Sequence, residues 1–359
     1  MTVYIVELEP VETRYTAQWK REIPEQLTKR NIPWQIVSGP NDMSSEVTKG
    51  AFLNFSATNY WKAHQMKNIA NLFDQELIKD GDYFLYTDAW NPTVIQLKYM
   101  SELLGIKIKI GGMWHAGSYD PEDFLGRLIG DAPWIRHAEK SMFECFDDNF
   151  FATQFHIDMF CVQLFSAHFS PQIEERNKIL RVGWPMDYME KVLAPYKGME
   201  KENLVLFPHR IAPEKQVDIF RDLAKEFPDY EFIVCQEQQL TKHEYHTLLG
   251  KAKMVFSANL QETLGITCYE GALLGAIPVV PDRLSYTEMY DPMFKYPSEW
   301  TESVEAYKKH KPELVKYLKE RLDANEYLAF VYLIDDCKEL EKQFFSGEKL
   351  YKIIEEHSK

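Results

Sequence analysis

Short apolar runs alternate along this chain with longer stretches in which apolar residues recur every three or four positions. That change of period predicts strands and helices in turn. Residues 2–8 read as a first strand, 17–29 as a helix ending before Pro33, and 34–37 as a second strand. Residues 56–78 form a long helical pattern with Ser56 or Thr58 at its start, residue types that cap N-termini. The apolar runs 83–86 and 106–110 read as strands separated by a helix over 94–104. Residues 120–170 read as mostly helical, and the aromatic stretch 143–169 reads as core in preference to a stacking platform. A strand over 179–182 closes this half. Short buried strands alternating with helices predict a parallel sheet covered on both faces.

The pattern breaks at Gly183, Trp184 and Pro185, followed by a polar stretch at 194–201. It then restarts with strands at 204–207, 231–234, 254–257 and 277–280, and helices at 213–227, 241–249 and 267–274. This is the pattern of a doubly wound α/β domain. The tail over 312–356 is helical. The expected division is a domain over 1–183 and a second over 184–329, with 330–359 packing back on the first.

Composition agrees with two folded domains. The chain has 359 residues, more than one hydrophobic core usually serves. An apolar share of 45% excludes disorder as the main state. Lys and Arg number 41 against 55 Asp and Glu, a net charge of −14. A generally basic nucleic-acid module is thereby excluded, and any polyanion would need a local patch. No apolar run approaches the roughly 20 residues of a membrane span. The five cysteines are scattered without a CxxC pair, and the start, MTVYIVELEP, lacks the features of a signal peptide. Both fit a reduced, cytoplasmic setting.

Candidate chemistry lies just after the strands, because open α/β sheets bind ligands beyond the carboxyl ends of their strands. After residues 204–207 come His209, Arg210 and, at the start of the next helix, Lys215. A guanidinium and an ammonium beside a helix start suit a diphosphate; the alternative is a solvated loop with two surface cations. After residues 254–257 come Glu262, in a loop, and Glu270, about one turn into a helix. Between them Gly265 permits close backbone approach, and the amides of Leu264, Gly265, Ile266 and Thr267 form an anion cradle. The two carboxylates could grip the hydroxyls of a sugar and of a ribose. In the first half, Gly111 and Gly112 read as the start of a loop that carries His115, with Asp88 and Trp90 after an adjacent strand. Asp147 and Asp148 do not form a D-x-D metal motif, and Asp282 with Arg283 reads as an interdomain ion pair.

Arg210, Lys215, the E-x7-E pair Glu262 and Glu270, and the small-residue run from Gly275 to Pro278 resemble the nucleotide-sugar domain of retaining GT-B glycosyltransferases close to family 4. The resemblance covers about residues 180–290. It implies a GT-B fold, two Rossmann-like doubly wound domains facing across a cleft. It also implies transfer of a sugar from a nucleoside-diphosphate sugar, UDP in first place, to an acceptor hydroxyl without a metal or other cofactor. Arg210 and Lys215 would hold the diphosphate, Glu270 the ribose, and Glu262 the donor sugar; His209 would bond the nucleotide or stand as a loop histidine. His115 would match a histidine that touches the donor sugar. The first half lacks the family's Gly-rich loop after its first strand, which leaves Arg14 or Tyr15 to contact a substrate there. The acceptor stays open between a hydroxymethylated base in double-stranded tailed-phage DNA and a carbohydrate or small molecule. A sugar-nucleotide 2-epimerase and a non-catalytic sugar-nucleotide sensor are the other classes that the pattern admits.

Overall fold

A computed structural model describes residues 1–10, 15–40, 54–166 and 179–358. Arg14 therefore lies outside the described residues, as does the end of the aromatic stretch beyond residue 166. The chain divides into two units, Met1–Met186 with Ser346–Lys359, and Asp187–Phe345. Residues 330–345 thus group with the second unit, and only the segment from Ser346 rejoins the first.

Among the described residues, the first unit holds six parallel strands: β1 (Val3–Val6), β2 (Trp34–Val37), β3 (Tyr83–Tyr86), β4 (Lys109–Met113), β5 (Asp148–Phe151) and β6 (Ile179–Arg181). Their order is β2-β1-β3-β4-β5-β6. The chain winds one way from β1 to β2 and the other way to β3, so the switch point lies between β1 and β3. Helices Tyr15–Lys29, Phe55–Asp74, Thr93–Leu104, Pro133–Cys145 and Gln154–Phe165 complete the alternation. Asn54, rather than Ser56 or Thr58, caps the second of these, its side chain accepting from the amides of Ser56 at 3.1 Å and Ala57 at 3.0 Å.

Two strands depart from the sequence expectation. β4 begins three residues later than expected, and it takes Gly111 and Gly112 into the strand. A Cβ on Gly111 would lie 2.0 Å from the Tyr83 hydroxyl, and one on Gly112 would lie 2.5 Å from the Phe146 ring. These glycines serve packing and not a loop. β5 sits inside the stretch expected to be helical; four consecutive buried residues carry no period that separates a strand from a buried helix segment. Phe143, Phe146, Phe151 and Phe160 join Trp114 in one buried cluster.

The second unit holds five parallel strands: β7 (Leu204–Phe207), β8 (Glu231–Val234), β9 (Met254–Phe256), β10 (Ile277–Pro281) and β11 (Lys295–Tyr296), ordered β11-β10-β9-β7-β8. Here the switch point lies between β7 and β9. The expected helix over 213–227 is broken. A 3-10 turn, Pro213–Lys215, precedes Gln216, which takes a left-handed φ of 53° before the helix Val217–Leu223 begins. The last helix, Glu348–His357, lies with the first unit. There Arg30 pairs with Glu348 at 2.5 Å and Glu355 at 3.4 Å, and His357 meets buried Asp148 at 2.7 Å. Among the described residues, no helix is long and apolar enough to cross a membrane.

Candidate functional site

The loops that leave β7 and β9 flank the switch point of the second sheet, where the crossovers part and leave room beyond the strand ends. The β7 loop carries His209, Arg210 and the turn Pro213–Lys215; the β9 loop runs through Asn259, Gln261 and Glu262 to Gly265. Lys215 joins the two. Its buried ammonium donates to the Gln261 carbonyl and lies 3.4 Å from the Glu262 carboxylate. The Leu260 amide returns a bond to the Glu214 carbonyl at 2.8 Å. Lys215 therefore stands in a 3-10 turn, not in the first turn of the following helix, and it is held from the β9 side. Arg210 forms an ion pair with Glu214, whose carboxylate is fully buried.

Burial by itself would raise the Glu262 carboxyl, but the Lys215 ammonium, His209 and the amides of Gly265 and Leu264 outweigh it and hold the group below its ordinary value. Glu262 thus stays ionised, and its own Oε1 takes the Leu264 amide at 3.5 Å. Part of the expected anion cradle is therefore occupied by the protein's own carboxylate. Gly265 supports the bend with φ 75°, where a Cβ would come within 2.7 Å of the Tyr286 ring. The helix Ile266–Leu273 starts there, and the amides of Ile266 and Thr267 are among the first-turn donors that lack intrahelical acceptors.

His209 is buried, and burial followed by the nearby Lys215 charge pushes it down to about 3, so the ring is neutral. Its Nδ1 lies 3.4 Å from the Asn259 amide nitrogen and 3.5 Å from the Thr267 hydroxyl. Glu270 is half-buried and accepts from the Tyr245 hydroxyl at 3.0 Å. Burial pushes its carboxyl up to about 7, against the opposing effects of Tyr245 and Lys242.

Three further residues shape the β9 loop. Arg283 donates to the carbonyls of Asn259 at 2.7 Å, Ala258 at 2.8 Å, Ser298 at 2.9 Å and Thr301 at 3.3 Å. Asp282 instead pairs with Lys295 at 2.9 Å, which replaces the expected interdomain pair with Arg283. Gln216 adds bonds to the carbonyls of Ala258 and Thr301, both at 2.6 Å. Asn259 reaches the Tyr286 hydroxyl at 3.2 Å. The position of Arg283 at the end of β10 was the signal in the sequence; its acceptors, all backbone oxygens but for the Thr301 hydroxyl, were not.

His115 belongs to the first unit, two residues past β4. Both ring nitrogens are engaged: Nε2 donates to the Thr87 carbonyl at 2.7 Å, which leaves Nδ1 to accept from the Tyr15 hydroxyl at 2.8 Å. Burial lowers its pKa. Asp88 pairs with Lys62 at 3.3 Å, and the Trp90 indole donates to buried Glu139 at 2.9 Å. Among the described residues, no group of three or more His, Cys, Asp or Glu is placed to hold a metal.

No protein-family model matches the chain, and no curated protein matches it. Solved structures do. Sucrose-phosphate synthase from Thermosynechococcus elongatus is 12% identical, with a TM-score of 0.60 over 98% of each chain. Anabaena HepE, solved in complex with UDP and glucose, is 12% identical, with a TM-score of 0.57 over 99% of each chain. The catalytic domain of starch synthase IV from Arabidopsis thaliana, bound to ADP and acarbose, is 12% identical, with a TM-score of 0.56 over 99% of this chain and 98% of that one. These likenesses show the fold: two parallel-sheet α/β units of the GT-B class.

Proposed function

We propose that this GT-B chain is a retaining glycosyltransferase that moves a sugar from a nucleoside-diphosphate sugar, UDP by preference, to an acceptor hydroxyl. The observation that carries the reading is the meeting of Lys215 with Glu262 at the second sheet's switch point, with Arg210 on the same β7 loop and a helix start beside them. Two cations and the first amides of a helix offset the charge of a diphosphate as it departs. No metal is assigned to that task in this reading. Ionised Glu262 would face the donor sugar and stabilise the oxocarbenium-like transition state, and Glu270 would accept from the ribose hydroxyls. In a retaining reaction of this type the acceptor attacks from the face the diphosphate leaves. A phosphate oxygen takes the acceptor proton, and no side-chain nucleophile is needed.

The fold of structures solved with UDP and glucose or with ADP supports this reading in general terms. The test incubates the chain with a panel of nucleotide sugars, each alone and with simple carbohydrates or hydroxymethylated double-stranded DNA. Mass spectrometry identifies the products, and proton NMR of the anomeric signal reads the stereochemistry. Transfer with retention is the expected outcome. Release of an epimerised sugar without acceptor would favour an epimerase, and binding without turnover a sensor.

A further inference from the structure

The helix Lys242–Lys251 starts in a capping box made by Thr241 and Glu244, and it carries none of the residues assigned above to donor binding. It reaches the site through one side chain. The Tyr245 hydroxyl donates to Glu270 Oε2 at 3.0 Å, across to the helix Ile266–Leu273. Two further bonds join the same helices at their C-terminal ends. There the Lys201 ammonium donates to the Gly250 carbonyl at 2.9 Å and the Leu274 carbonyl at 2.7 Å. Tyr245 is thus held at a fixed place beside Glu270. Burial, followed by the neighbouring Glu270 charge, pushes the tyrosine hydroxyl well above its ordinary value, so it stays a donor while Glu270 titrates.

An ionised carboxylate only accepts, and its two oxygens can serve two partners. A donor bound at one oxygen fixes the plane of the group and leaves the other to a ligand. A glutamate loses rotamer freedom when a ligand immobilises it, and a side chain already pinned has less to lose. We propose that Tyr245 is a positioning residue for donor binding: it pins the Glu270 carboxylate in the orientation that accepts from the ribose hydroxyls. The proposal rests on the reading given under Proposed function, in which Glu270 takes the ribose. A hydrogen bond to the charged form also favours that form. Among the described residues, the groups that act on Glu270 are Tyr245 and, from the same helix, Lys242. Cys235 and Cys268 lie near Tyr245, and burial pushes both thiols up to about 12, so neither is charged near neutral pH. Loss of the Tyr245 hydroxyl therefore has two consequences that a loss of packing lacks. Glu270 ionises at higher pH, and once ionised it is still poorly aimed.

The test compares wild type, Tyr245→Phe and Lys242→Gln in the full chain. Carboxyl ¹³C NMR of glutamate-labelled protein, with the Glu270 signal assigned by its loss in Glu270→Gln, gives the titration midpoint of that group. Calorimetry gives UDP affinity at pH 7 and pH 9. The midpoint should lie higher in both variants, by about one pH unit in Tyr245→Phe. At pH 9, where Glu270 is ionised in all three proteins, Tyr245→Phe should still bind UDP about tenfold more weakly, the scale of one hydrogen bond to a charged group. Lys242→Gln should match wild type there, because only charge and no aim has been lost. An unmoved midpoint in Tyr245→Phe overturns the proposal, and so does wild-type affinity of that variant at pH 9. Equal weakening in Lys242→Gln at pH 9 would assign the effect to charge and overturn the positioning role. A wild type that binds no UDP removes the ribose reading and this proposal with it. The midpoints distinguish that outcome, since they still shift in Tyr245→Phe if the contact itself is right.

Discussion

Glu270 accepts from the Tyr245 hydroxyl at 3.0 Å, and burial pushes its carboxyl from 4.5 up to about 7. An acid with a raised folded pKa holds its proton more tightly when folded. Its favourable contribution is complete below about pH 4.5 and is lost as pH rises through about 7. Glu270→Gln should therefore be more stable than wild type at pH 8, by on the order of 1–2 kcal/mol in unfolding free energy, and converge with it toward pH 5. Ribose hydroxyls need the ionised form as acceptor, so UDP affinity should rise between pH 6 and 8 in wild type. Calorimetry of Glu270→Gln should show that part of the slope removed. Arg210→Ala should weaken UDP binding by about 1.5–3 kcal/mol, the scale of a hydrogen bond to a charged group; unchanged affinity would remove the diphosphate assignment. Glu262 makes its proposed contact to the transferred sugar, so Glu262→Ala should leave UDP affinity nearly intact. Its turnover should fall about 10²-fold or more, as when one well-placed electrostatic partner is lost.

At the scale of elements, the β9 loop owes its course to groups outside it. Arg283 bonds four carbonyls, two of them in that loop, and Gln216 bonds the same carbonyl oxygens of Ala258 and Thr301. Arg283→Lys cannot reproduce a planar fork of donors and leaves buried carbonyls unmet. It should lower the unfolding free energy by about 2–4 kcal/mol and weaken UDP binding. Asp282→Asn should change neither, because Asp282 pairs with Lys295 and is half-exposed. If both variants behaved alike, the bracing role of Arg283 would fail. The alternation of strands and helices in this unit follows from its short buried runs and their spacing; the strand order is seen only in the structure. The break at Gln216 was illegible, since a left-handed glutamine leaves no local signature; it persists because its side chain finds two buried carbonyls. The register of β4 was misjudged for a related reason. Gly111 and Gly112 look like loop residues until the Tyr83 and Phe146 rings that occupy their missing side-chain space are known.

For the whole molecule, the return of the chain at Ser346 to the first unit is held by a few groups. Leu350, Tyr351 and Ile354 are buried, and the Arg30 guanidinium lies 4.6 Å over the Tyr351 ring. Leu350→Ala should cost about 2–5 kcal/mol as a cavity-forming core truncation. Thermal unfolding should show the loss in the first unit, with UDP affinity in the second preserved. Turnover should persist in excess chelator, because the proposed reaction balances the diphosphate charge with Arg210, Lys215 and helix-start amides. Silencing by chelator and rescue by Mn²⁺ or Mg²⁺ would contradict it.

The sequence by itself determined the class of the fold and the loops in which to look for chemistry. Short apolar runs separated by helical periods predict a parallel sheet covered by helices, and such a sheet places its ligand loops after the strands. That reasoning leads to Arg210, Lys215, Glu262 and Glu270 from local pattern alone. Tertiary structure decided what each side chain meets, because those partners lie tens of residues away in the chain. Lys215 is tied to the Gln261 carbonyl, Arg283 to backbone oxygens in place of a carboxylate, and His115 to Thr87 and Tyr15 through both nitrogens.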